Sequence, residues 1–139
     1  MDVTDALVAA VPEFNVRVAM DEFAPMWRFA ERWHGVWMPN PRTVGTIGGI
    51  VDTCRWMAGV TDAAPATGRR VRATWETITD EVAYVEDTIT QVEQGRTPTW
   101  TLRPPGRADG VILTFAWAWL GADLPVHYFD LPGTPAGTV

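Results

Sequence analysis

With 139 residues, 47% of them apolar and 20% charged, the chain has the composition of one globular domain with a core and is too short for two ordinary ones. Seventeen acidic residues against eleven arginines leave a net charge of −6, which repels phosphate backbones and anionic lipid surfaces and so disfavours nucleic acid and membranes as partners. Lysine and serine are absent, and with them go the Schiff-base lysine, the P-loop lysine and the Ser-His-Asp nucleophile.

The exclusive use of arginine is the bias that GC-rich coding produces, as in actinobacteria and their phages. Cys54 stands alone, so no intramolecular disulfide can form. The start MDVTDALVAAVPEF lacks the basic residues and long apolar stretch of a signal peptide, and the cytoplasm is the expected compartment. The longest apolar run, 111–120, is about half the roughly 20 residues that span a bilayer, so no transmembrane segment is expected.

In chain order, residues 4–11 predict a short helix capped by Asp2 or Thr4 and ended by Pro12. From Met20, with Asp21 as cap and Pro25 near the first turn, Phe23, Met26, Trp27, Ala30, Trp33 and Trp37 recur at helical spacing. Asn40-Pro41 is a cap followed by a first-turn proline, and Val44, Ile47, Val51, Cys54 and Ala58 continue the helix to about Gly59. Its Gly45, Gly48 and Gly49 each cost roughly 1 kcal/mol of helix propensity, but they let another helix approach closely. TDAAPATG, 61–68, reads as a loop.

The cleanest periodicity follows. Val71, Trp75, Ile78, Val82, Val85, Ile89 and Val92 alternate steps of four and three, predicting one long amphipathic helix over about 70–93, with Gly95 as stop signal. Arg69, Arg70 and Arg72 crowd its start, the end where the helix dipole disfavours positive charge. TWTLR, 99–103, suggests a minor extended segment, and a second falls near 126–130. Residues 111–120 fit a helix between Asp109 and Gly121 or a buried strand of alternating large residues; the caps favour helix. The fold class is therefore all-α, a small bundle of three to five helices, with 1–130 as one domain and 131–139 as a tail.

Catalytic signals are sparse. His34 and His127 lie far apart in no ligand motif, and Cys54 lies on an apolar helix stripe where a free cysteine acts as a small hydrophobe. GTIGG, 45–49, is no nucleotide-binding loop. Glu76, Asp80 and Asp87 share one helix face and carry the alternative reading, a Mg²⁺-dependent all-α hydrolase of the nucleotide pyrophosphohydrolase type, although the paired ExxE and ExxD signatures of such enzymes are absent. No cofactor is expected.

Eight tryptophans are the anomaly. The helix stripes put Trp75 and some of Trp27, Trp33 and Trp37 in the core. Trp37 beside Met38, Trp56 off its helix's seam, and Trp100 in a Pro/Arg-rich loop are the candidates for an exposed aromatic patch, the composition of binding hot spots. The leading expectation is a protein-interaction module without catalytic activity that pairs with itself as a homodimer or with another protein. A phage-type accessory or assembly component is a further alternative.

Overall fold

A computed structural model describes residues 1–123. Five helices order them: α1 Asp5–Ala9, α2 Met20–Trp33, α3 Pro41–Met57, α4 Trp75–Glu93 and α5 Arg107–Ala118, with single 3₁₀ turns at Glu13–Asn15 and Thr99–Thr101. The fold is a small all-helical bundle. None of the described helices is long and apolar enough to cross a membrane.

Local chemistry sets the boundaries. Thr4 caps α1 by accepting from the Leu7 N–H, and Asn40 caps α3 by accepting from Arg42, with Pro41 in the first turn as its fixed φ favours. Asp21 does not cap α2. The helix starts one residue earlier behind Ala19, which leaves Asp21 and Glu22 in the first turn, where the dipole favours them. Its end also differs from expectation: Gly35 adopts φ +80°, and this left-handed stop cuts the helix at Trp33, leaving Trp37 outside it.

The long helix begins at Trp75, four residues beyond the first apolar position of its predicted seam. Val71 is drawn instead into a loop crossing: its N–H bonds the Asp62 carbonyl, Ala63 and Arg70 form an isolated bridge, and the Trp56 indole donates to the Val71 carbonyl. A reciprocal capping box between Thr74 and Thr77 then starts the helix. Arg69, Arg70 and Arg72 thus precede the helix, and Arg70 pairs with Asp62. The 99–103 segment is a 3₁₀ turn rather than an extended piece, because Thr101 and Leu102 bond back to Pro98 and Thr99. Residues 111–120 are helical, as the caps favoured, but α5 starts at Arg107 behind Gly106, so that Asp109 lies inside its first turn. The segment expected near 126–130, His127 and the expected tail lie outside the described residues.

The tightest packing is between α3 and α5. A Cβ on Gly45 would meet the Pro105 carbonyl oxygen at 1.7 Å, one on Gly49 the Arg107 oxygen at 2.1 Å, and one on Gly110 the Thr46 oxygen at 2.1 Å, so here backbone packs on backbone. The glycine face serves this crossing within the chain. Around it the core collects Phe23, Trp27, Phe29, Trp56, Phe115 and Trp117, with Phe23 stacked on Trp117 at 6.2 Å and Trp56 edge-on to Phe115.

Two carboxylates lie inside this core. Glu31 receives both arms of the Arg55 guanidinium at 2.7 Å and the Trp27 indole N–H at 3.0 Å, which ties α2 to α3. Burial alone would raise the Glu31 carboxyl, yet the hydrogen bonds from Arg55 and Trp27 and the positive charges of Arg55 and the N-terminus outweigh it, and they hold it below the ordinary value. Glu81, fully buried on α4, accepts from the Ala66 and Thr67 N–H groups and pins the 61–70 loop, with Arg69 4.0 Å from its other oxygen.

Candidate docking groove

Between α4 and the rest of the bundle, long side chains fill the contact only part of the way. Ile78, Val82 and Val85 are buried, whereas Ile89 and Val92, on the same stripe two turns on, are exposed, Val92 by 52%. Ala108 and Ile112 of α5 line the same space, and so does Leu102, the residue after the 3₁₀ turn, which is 53% exposed. The result is a groove of about 370 Å³ with an apolar floor, in the size range of sites that hold ligands. Its rim is polar: the Arg42–Asp109 ion pair on one side and Glu93 on the other. An apolar centre with a charged border is the anatomy of an interaction site, and half-exposed aliphatics release water when covered, at about 25 cal/mol per Å².

Two larger cavities differ in their lining. One, about 790 Å³, is bordered by Phe14, Val60 and Trp75, and Arg17 stacks on one face of the Trp75 ring, its guanidinium 4.4 Å from it and 4.0 Å from Trp119. The other, about 480 Å³, is lined by Arg55, Arg103 and Arg107; Arg55 is spent on Glu31, and Arg107 on Asp52 and the Pro65 carbonyl.

The residues singled out from sequence separate here. Trp37 is 83% exposed and stands free on the α2–α3 connection. Met38, next to it, is half-buried against the core. Trp56 is fully buried, a correction to its place in the expected patch: it lies off the aliphatic seam, with Phe115 of α5 edge-on to its ring and the Val71 carbonyl accepting from its indole N–H. Trp100 is half-buried; its indole donates to Thr88 and its ring tilts on Tyr84. Trp75, expected inside, is 53% exposed, since it opens α4 at the edge of the bundle. The floor of the groove was visible in part, through Ile89 and Val92 of the predicted seam. Leu102 was not, because nothing in TWTLR distinguishes a turn that covers α5 from an extended segment.

Glu76, Asp80 and Asp87 are not brought together with any second carboxylate-bearing helix. All three are exposed, Asp80 lies 3.9 Å from Arg69, and Asp87 accepts from Gln91 one turn on. Among the described residues no three His, Cys, Asp or Glu side chains converge as metal ligands. His34 is an exposed helix C-cap. Cys54 is fully buried, and burial, then the nearby negative charge of Glu31, push its thiol up far beyond the range in which a thiolate forms. A thiol reagent at pH 8 is therefore expected to label Cys54 only as fast as the protein unfolds. Rapid stoichiometric labelling of native protein would contradict its burial.

Comparison with protein-family models, with curated proteins and with solved structures finds no match.

Proposed function

We propose that the protein is a protein-interaction module without catalytic activity, and that the groove between α4, the Thr99–Thr101 turn and α5 is its working surface. The supporting observation is the half-covered apolar stripe of α4. Ile89 and Val92 extend the line of buried Ile78, Val82 and Val85, yet meet open space lined by Leu102, Ala108 and Ile112. Exposed stripes of this kind lower the free energy of whatever protein covers them, and the charged rim provides register.

The test is a paired substitution, Val92→Asp with Leu102→Asp. Both side chains are half-exposed, so the melting temperature should change by no more than about 4 °C, as surface substitutions do. Proteins that copurify with the native chain from its source cells are expected to be lost by this variant and retained by Leu120→Asp, a comparably exposed site at the far end of α5. An unchanged set of copurifying proteins would sink the reading.

A further inference from the structure

Resting on that reading of the groove, we infer that its occupant is a second copy of this chain: Trp37 of each copy enters the groove of the other. Among the described large apolar side chains Trp37 is the most exposed. It is not on a loose end. Gly35 stops α2 before it, Met38 packs on the core beside it, and the Asn40 cap starts α3 just after it, so the indole is presented from a short connection fixed at both sides. Knob and socket also share one end of the molecule, because Arg42, five residues beyond Trp37, borders the groove. A two-fold axis passing this end lets each copy give and receive the same contact, the self-complementary arrangement that closed dimers require.

Charge points the same way. Residues 32–51, which carry the knob, contain Arg32 and Arg42 and no carboxylate, and since Arg42 is paired with Asp109, Arg32 is the charge that segment can offer; the exposed acids of α4 are Glu76, Asp80, Glu86, Asp87 and Glu93, and the helix holds no arginine. Glu93 borders the groove in the last turn of α4, where the helix dipole disfavours a negative charge and no basic residue of that turn offsets it. A second copy brings Arg32 of its knob segment to the end of the groove that Glu93 borders. Each indole covers on the order of 200 Å² and an equal area of groove. Two such contacts total about 800 Å², below the roughly 1,200 Å² of stable dimers, so the pairing is weak and depends on concentration.

Sedimentation of the full chain from about 1 μM to about 1 mM, the range in which weak dimers dissociate, tests this. The native mass is expected to rise from 15.4 kDa toward twice that value, and Trp37→Ala and Val92→Asp should each weaken association more than tenfold while circular dichroism stays native. Mixing the two variants at the highest concentration should recover part of the association, since the mixed pair keeps one of the two contacts, whereas each variant alone keeps neither. A native chain that stays monomeric throughout, a dimer indifferent to Trp37→Ala, or, where the native chain dimerises, a mixture no more associated than either variant alone would each overturn the inference. If the native chain is monomeric while the Val92/Leu102 variant still loses a copurifying protein, the groove stands and its occupant is that other protein. If that loss is also absent, the groove reading falls too.

Discussion

Gly49→Ala is expected to destabilise the protein by about 2–3 kcal/mol, while Gly48→Ala, one residue away, is expected to stabilise it by up to about 1 kcal/mol. Both changes add the same methyl group to the same helix and gain the same propensity. At Gly48 the new Cβ meets nothing within 4 Å; at Gly49 it meets the Arg107 carbonyl oxygen at 2.1 Å and the Val111 nitrogen at 2.9 Å. Those are backbone atoms of α5 and cannot swing aside as a side chain can. The two helices must separate, which loosens the contacts of Val111 and Phe115 with α3. Gly110→Ala should behave like Gly49→Ala, because its Cβ would meet the Thr46 oxygen at 2.1 Å. Urea unfolding followed by circular dichroism measures all three, and a stabilised Gly49→Ala would mean that α3 and α5 do not cross here.

The second large effect belongs to the buried ion pair. Replacing Arg55 by Met removes the partner that donates to both oxygens of Glu31, whose side chain is 3% exposed, and leaves a carboxylate inside the core with the Trp27 indole and the N-terminal amine. A loss of about 3–5 kcal/mol is the usual consequence of stranding one member of such a pair. Glu31→Gln together with Arg55→Met should recover part of the loss, since no charge is then left unpaired.

The pH dependence distinguishes the two variants. In the native chain the Glu31 carboxyl is held below its ordinary value of 4.5, so its contribution is fully present above that value and is lost as pH falls through the lower folded value. In Arg55→Met the dominant influence is burial, which raises the carboxyl, and the sign reverses: the variant's deficit shrinks as acid protonates Glu31. Unfolding midpoints between about pH 3 and 7 check this, and parallel curves for the native and Arg55→Met proteins would show that Glu31 is not held by Arg55.

What could be read from sequence was what is local. The helix starts at Thr4 and Asn40-Pro41 and the stop at Gly95 depend on residues within one turn, and each is found where its chemistry predicts. Gly35 is the same kind of signal, and its left-handed conformation overrides the helical spacing of Trp33 and Trp37. Partners distant in sequence were not legible. Gly45 and Gly49 announce a close approach without naming the approaching helix, and it is α5 of the same chain. Val71 keeps the seam's rhythm yet bonds Asp62 and receives Trp56, because an apolar period says which residues seek burial and not which structure buries them. The partners of Glu31 and Glu81, Arg55 and the Ala66 amide, lie 24 and 15 positions away and have no mark in the local sequence of either acid. Glu81 does leave one trace in the sequence, since it lies between Ile78 and Val85 inside the apolar arc of α4. The groove is legible only as far as Ile89 and Val92, for its existence depends on what fails to cover them.

Hydrogen exchange of the protein with its occupant bound, compared with the free chain, tests the groove most directly. Amides of residues 88–93 and 99–102 are predicted to slow on binding, with those of α1 unchanged. Protection confined to other surfaces, with 88–93 and 99–102 exchanging as in the free chain, would contradict the account.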